Sequence, residues 1–542
     1  MMMISSQEDK HSVHLVSMSS REENIDSKDN VMVSISSPST GRQAKPDGDV
    51  DDAMEYAIRN KTENPKYDKS RDAKLLRKID FFLMPIICCL YAIQFMDKLT
   101  NSLASILGLR TELRMHGNMY SWTGSAFYLG YMVFEFPAVR FLQSFPVSKT
   151  LSVFIVLWGV VLCLHSIPNY AGFVALRTIL GILESSITPG LVIITSQYYR
   201  GANPDAGAKE KSKYKDEIFL RTAWWFASTG FGIIVGSAIA YAIVVHQDSY
   251  SIQAWKLIFI VTGVITIFVG LVFLVHVPDK PTKAWFLTEE EKKLVVERIR
   301  VNQQGFGNKK FKIYQFKEAL LDLRTWLFFL AALSISLPTG GLTNFGSILL
   351  AEGFGYSLKK TMLMQMPVGA VNICGCVIFA WLHRFVESRM FWATFGNAVT
   401  FAAQCMLAFG KTNQIMFAGY IVQSLGPIAF ICLLANISSN VTGHTKKVTV
   451  NAILLVGYCV GNLIGPQTFL DSEAPNYKTA KACIVAFGLL NLLLFVLIWL
   501  SYLWDNRKKN RAYAEAGEID MFENYEFADL TDKENPLFRY KI

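Results

Sequence analysis

Four charged side chains set inside long apolar stretches are the residues of this sequence best placed to do chemistry. Asp97 and Lys98 fall within Phe95-Met-Asp-Lys98, and Arg177 and Glu184 lie seven residues apart in a later stretch. An ionisable group deep in hydrocarbon costs about 2.5–3.5 kcal/mol on insertion scales, so it faces a partner or a wet cavity. Lys98 and Arg177 are suited to attracting an anion, and Asp97 and Glu184 to taking and releasing protons. Anion binding and proton binding at one such cluster are thermodynamically linked, which is the requirement for symport. The competing reading is a static ion-pair cluster that ties two helices together. Glu135, late in another apolar stretch and two residues before Pro137, fits a structural ion pair with Arg140 as well as a functional role.

Positioning these groups requires helices that cross a bilayer. Of the 542 residues, 51% are hydrophobic and only 18% charged. The apolar residues form runs of roughly 20 or more, each able to cross about 30 Å at 1.5 Å per residue. Continuous runs rather than alternation select helices over a barrel. The expected fold is an all-α membrane protein with 12 transmembrane helices in two six-helix halves. The expected organisation is a disordered cytosolic tail (1–78, with a short helix near Asp51–Arg59), an N-terminal bundle (79–277), a cytosolic connector (278–324), a C-terminal bundle (325–504) and a cytosolic tail (505–542). Within the connector, Thr288-Glu-Glu-Glu291 is a capping-box pattern that predicts a short helix.

Depth arithmetic pairs the first and fourth spans. Asp97 lies about 25 Å, and Arg177 about 30 Å, from the inner ends of two antiparallel helices. Glu184 falls on nearly the same face as Arg177, about 10 Å deeper. One column then holds two carboxylates and one or two cations if the helices are neighbours.

Charge distribution sets the topology. The assigned cytosolic loops hold about 22 Lys and Arg against about 6 in the outer loops. The connector alone holds eleven, from Lys280 to Arg324. This bias accounts for the net charge of +9 without a nucleic-acid partner, and it puts both termini in the cytosol. The nine cysteines all lie in apolar segments and form no C-x-x-C pattern, so neither a disulfide nor a metal site is read. No nucleophile–base constellation suggests an enzyme, and no cofactor is implied.

Elsewhere, Asn344 follows Pro338-Thr-Gly-Gly341, a run expected to loosen the seventh span and expose a substrate-binding amide. Tyr128 and Trp224, with Tyr131 and Trp225, are candidates to wall a substrate cavity. Gly232-x-x-x-Gly236 in span 5 is echoed by Gly457-x-x-x-Gly461-x-x-x-Gly465 in span 11, as expected of two related halves.

Several of these segments resemble the anion:cation symporters of the major facilitator superfamily. They are Phe95-Met-Asp-Lys98-Leu-Thr-Asn, Arg177-Thr-Ile-Leu-Gly-Ile-Leu-Glu184 with Pro189-Gly190, Trp255-Lys-Leu-Ile-Phe259, and Pro278-Asp-Lys-Pro281 with Phe286-Leu-Thr-Glu-Glu-Glu291. Ser439-Asn-Val-Thr-Gly-His-Thr-Lys446, Gly461-Asn-Leu-Ile-Gly-Pro-Gln467 and Asn535-Pro-Leu-Phe-Arg-Tyr540 are similar to its fungal allantoate-permease branch. The resemblance implies alternating access around a central site and a plasma-membrane location. It assigns proton coupling to Asp97 and Glu184 and a substrate-facing role to Arg177. Where the family usually has Arg, this chain has Lys98, which keeps the charge but loses a planar bidentate fork. Over its whole length the chain most resembles fungal carriers of sulfonates and inorganic sulfur anions (sulfate, sulfite, thiosulfate). Import of allantoate, a dipeptide or another organic carboxylate is the alternative within transport. A non-transporting nutrient sensor is the alternative outside it. Efflux antiporters carry a Gly-Pro motif in span 5, and Ser228–Tyr241 contains no proline.

Overall fold

The computed structural model describes residues 69–167, 169–201, 217–300, 312–382, 385, 388–516, 531–535 and 538–541. The segment Asp51–Arg59, the bulk of the N-terminal tail and most of the 200–217 loop lie outside them. Among the described residues, ten helices are long and apolar enough to cross a membrane. Two more, Met119–Ser144 and Arg389–Phe409, have the length at 26 and 21 residues and stand where spans 2 and 9 belong. Their lower apolarity has a packing cause. Span 2 turns Ser121, Thr123 and Ser125 inward, and span 9 does the same with Asn397, Thr400 and Gln404. Asn397 accepts a 2.6 Å hydrogen bond from Asn491 of span 12.

Helix pairing repeats between the halves. Spans 1 and 5, 2 and 4, and 3 and 6 pack together, as do 7 and 11, 8 and 10, and 9 and 12. The glycine echo belongs to this repeat: Gly232 and Gly236 press on Ala92 and Met96 of span 1, while Gly457, Gly461 and Gly465 press on the carbonyls of Phe329, Leu333 and Leu337 in span 7. The halves meet along spans 5 and 8 and along spans 2 and 11, with span 1 touching span 7. At Gly230 and Gly369 the two backbones approach so closely that a Cβ on either would strike the other's carbonyl oxygen.

Span 7 runs unbroken from Leu323 to Ile348 through Pro338, so the expected loosening there does not occur. Among the described residues, spans 4 and 10 are interrupted instead. Span 4 stops at Glu184 and restarts at Ile187. Pro189 has no amide to continue the ladder, and Ser185 and Ser186 turn their hydroxyls back onto the carbonyls of Ile182 and Leu183 at 2.8 and 3.1 Å. Span 10 breaks at Gln423–Leu425, where Asn372 of span 8 donates to the Ser424 carbonyl at 3.0 Å.

Both halves carry a charge cluster at the face that bears the connector. Span 1 begins at Lys69, well before the apolar run, with Leu75, Ile79, Leu83 and Ile87 buried at four-residue spacing. Its Asp72 meets Arg200 at 3.1 Å and Arg298 at 3.2 Å, and Arg298 also meets Glu217 at 2.8 Å. The capping-box helix forms as Glu289–Arg300, with Thr288 and Glu291 exchanging hydrogen bonds and Lys78 meeting Glu291 at 2.6 Å. A second connector helix, Ile313–Leu321, went unpredicted. In the other half, buried Lys446 is held by Glu318, Asp322 and Asp532 at 2.9, 3.1 and 2.7 Å. Asp532 belongs to a tail segment that docks back on this face: Tyr540 donates to Asp532 at 2.7 Å, and Asn440 pairs with the backbone of Lys541.

Burial opposes the charge of the Asp322 carboxyl, but Lys446 and Lys533 outweigh it and hold the group below the ordinary carboxylate range. Its stabilising contribution is therefore complete above that range and lost as pH falls through the lowered value. Lys446→Ala leaves three carboxylates facing one another and is expected to cost about 3 kcal/mol. Asp532→Ala leaves Lys446 two partners and costs less. Thermal unfolding of the detergent-solubilised protein, read as Tm, checks this order.

Candidate functional site

The depth arithmetic is realised. Spans 1 and 4 bring Asp97, Lys98, Arg177 and Glu184 into one cluster. Arg177 Nη1 stands 4.0 Å from Asp97 Oδ1, with side chains 3% and 0% exposed. Lys98 Nζ stands 3.6 Å from Glu184 Oε2, and Glu184 is fully buried. The charges sum to zero, but the polar atoms are unevenly served. Asp97 Oδ2 accepts a 2.7 Å hydrogen bond from Trp158 Nε1 of span 3, and Arg177 Nε donates to the Thr123 carbonyl at 3.1 Å. Neither Glu184 oxygen, nor Asp97 Oδ1, nor Arg177 Nη1 has a hydrogen-bond partner. A buried charge without donors is costly, and the cluster leaves several polar atoms unserved. It is not a saturated structural pair.

Phe127 of span 2 lies against both cations, its ring centre 5.6 Å from Lys98 Nζ and 5.4 Å from Arg177 Cζ. Toward the connector face an aromatic collar follows, drawn from both halves. Trp225 stacks on Phe226 at 4.5 Å, Tyr91 meets Trp225 edge-on at 4.6 Å, and Phe430 and Tyr458 of the other half are 5.3 Å apart. Tyr458 is the second half's contribution, its ring centre 6.3 Å from that of Tyr128. Phe127, Trp158 and Tyr458 were missed in the sequence. Each is an ordinary aromatic in an apolar run, and only the helix pairing shows what it faces.

Of the expected binding residues, Tyr128 is at the cluster, buried against Phe127 and Tyr458. Trp224 is not. It is 51% exposed on the stripe Leu220, Trp224, Phe231 and Val235, which faces away from the bundle. The inward member of the pair is Trp225. Asn344 is also placed differently from expectation. Its amide is already committed, accepting from Asn101 at 3.1 Å and donating to the Gly340 carbonyl at 2.9 Å, because span 7 stays helical and points it into the contact between halves. Glu135 is buried, and its Oε1 has no hydrogen-bond partner.

Three substitutions follow from this geometry. Trp158→Phe strips Asp97 of its one hydrogen bond and should destabilise the protein by about 1–3 kcal/mol. Trp225→Leu should cost at least about 2 kcal/mol of packing, while Trp224→Leu stays within about 0.5 kcal/mol. Unfolding of the purified protein in detergent measures all three.

Comparison with known proteins agrees with this architecture. The sequence matches the Major Facilitator Superfamily over residues 86–466. It is 45% identical over 493 residues to the uncharacterized transporter C417.10 of Schizosaccharomyces pombe, covering 91% of this chain and 94% of that protein. It is 44% identical over 507 residues to the allantoate permease of Saccharomyces cerevisiae, covering 91% and 90%. Among solved structures, the bacterial homolog of the human lysosomal transporter Spinster, inward-facing and occupied, superposes with a TM-score of 0.56 at 14% identity, covering 78% of this chain and 97% of that one. With its two six-helix halves and transporters and permeases as its relatives, the chain belongs to the major facilitator superfamily.

Proposed function

We propose that this protein imports a small organic anion together with protons by alternating access. The observation that carries this reading is the neutral, incompletely hydrogen-bonded cluster of Asp97, Lys98, Arg177 and Glu184. Arg177 and Lys98 provide the positive charge an anion needs, but each is occupied by a carboxylate. Protonation of Asp97 releases Arg177, and protonation of Glu184 releases Lys98. The freed cations then take the anion, with Tyr128 and Tyr458 closing on it from span 2 and span 11. Loss of the anion on the other side returns both cations to their carboxylates and expels the protons. Protonation adds positive charge to the site and anion binding offsets it, which is why the two cargoes are thermodynamically linked.

Similarity to allantoate permease over 91% of the chain favours a carboxylate of that kind as substrate. Sulfonates and inorganic sulfur anions are the second reading. The compact ammonium of Lys98 suits a tetrahedral anion, because it acts as a point charge and lacks a planar fork. The loop charge bias favours a cytosolic connector face and cytosolic termini, and import favours the plasma membrane.

The test is accumulation of radiolabelled allantoate, taurine and sulfate in cells producing the protein, at acidic and neutral pH, with and without a protonophore. Allantoate uptake should rise at acidic pH and collapse with the proton gradient. Arg177→Ala should lower it roughly 100-fold, the equivalent of about 2.7 kcal/mol. Glu184→Gln should retain substrate exchange but lose uphill accumulation. Accumulation indifferent to the protonophore would sink the coupling. Uptake of taurine or sulfate in place of allantoate would replace the carboxylate reading with the sulfur one.

A further inference from the structure

We infer that Asn101 is a positioning residue that ties the state of Arg177 to closure of the face opposite the connector. The inference rests on the reading of Arg177 as the anion's contact. Arg177 Nε donates to the carbonyl of Thr123 at 3.1 Å. The hydroxyl of the same Thr123 accepts from Asn101 Nδ2 at 3.1 Å, and that same nitrogen donates to Asn344 Oδ1 at 3.1 Å. Arg177, Thr123 and Asn101 belong to the first half and Asn344 to the second. A single amide of span 1 therefore connects the charged cluster with the contact between halves, and all four side chains are buried.

The surrounding structure keeps this amide in place. Tyr120 donates to the Asn344 carbonyl at 2.7 Å and reaches the Asn101 carbonyl at 3.2 Å. Gly124 leaves room for Asn344, since a Cβ there would come within 2.6 Å of its amide oxygen. Neighbouring contacts between the halves make the rest of the seal without touching Arg177. Ser102 donates to Ser347 at 3.0 Å, Ser125 donates to the Leu463 carbonyl at 2.7 Å, and Arg110 pairs with Glu352. When Arg177 turns toward an anion it leaves the Thr123 carbonyl. Thr123 is then free to shift against Asn101, whose amide has only two acceptors and whose Oδ1 has no partner. The seal has two discrete arrangements, made or broken, and Asn101 is where the cluster can bias them.

The test uses the full chain in proteoliposomes with Ser121→Cys as reporter. Ser121 is buried, and it lines a cavity of about 390 Å³ outside the seal with Arg110, Tyr120 and Glu352. A membrane-impermeant maleimide is added on that side, and labelling of the chain without the reporter is subtracted. Asn101→Ala should raise reporter labelling about tenfold, a shift of about 1.4 kcal/mol, and Arg177→Ala should do likewise. Combining them should add little to either alone, whereas Ser102→Ala should add independently to Arg177→Ala. Should Asn101→Ala fail to fold, Asn344→Ala removes the same contact from the other half. Independent addition of the Asn101 and Arg177 effects would overturn the inference, as would unchanged labelling in both Asn101→Ala and Asn344→Ala. Allantoate should alter labelling in the parent and not in Asn101→Ala. A non-additive cycle with no allantoate effect in the parent would sink the allantoate reading and leave the role of Asn101 standing.

Discussion

Four charges inside the bundle that cancel one another, three of them buried and Lys98 partly so, are the constraint around which this molecule is built. Each would be expensive alone in hydrocarbon, and paired they still lack the donors that make a buried ion pair comfortable. The protein meets most of the demand from outside the quartet. Trp158 comes from span 3, Phe127 and the Thr123 carbonyl from span 2, and Tyr458 from the second half. Span 4 breaks one residue beyond Glu184, so the local backbone is irregular where the charge is least satisfied. Irregular backbone at this depth survives only when it is covered by protein or lines a wet cavity. The break and the cluster therefore explain each other's position.

The same logic runs through the contact between the halves. Beside aromatic pairs such as Tyr120 and Phe345, many of its members are small or polar: Gly230 against Gly369, Thr229 against Asn372, Ser102 against Ser347, Asn101 against Asn344. Small residues let backbones touch, and short hydrogen bonds of modest strength can be broken without great cost. The bulky apolar packing lies mainly within each half. An interface of this composition is compatible with the proposed alternating access, in which the two halves part and rejoin.

Much of this was legible in the sequence, and the failures share a cause. Apolar length and loop charge gave the helices, and helix rise alone brought Asp97, Arg177 and Glu184 into one column. The span 5 and span 11 glycines gave the repeat. What failed was direction around a helix. Trp224 and Trp225 are adjacent in sequence and face opposite environments, and nothing local distinguishes them. Asn344 was chosen because Pro338 and two glycines suggested a broken helix, but close packing of Gly340 and Gly341 on span 11 keeps it continuous. Helix ends were underestimated for a related reason. Span 1 extends to Lys69 because Asp72, Lys78 and Asp80 find partners on other elements, which apolar length cannot reveal.

The docked tail bears on how the chain assembles. Lys446 begins span 11, yet Asp532 follows it by 86 residues. A ribosome delivers residues 531–541 only after all twelve spans have been made. Until then Lys446 has Glu318 and Asp322 alone, and Arg324 lacks the Tyr540 ring that later lies 4.2 Å from its guanidinium. Closure of the second half thus follows synthesis of its spans: the segment holding Asp532 and Tyr540 acts as a clasp that fastens a bundle already made. A fluorescent or affinity tag joined close behind Lys541 would press on that clasp, whereas one reached through a long linker would leave it free to close.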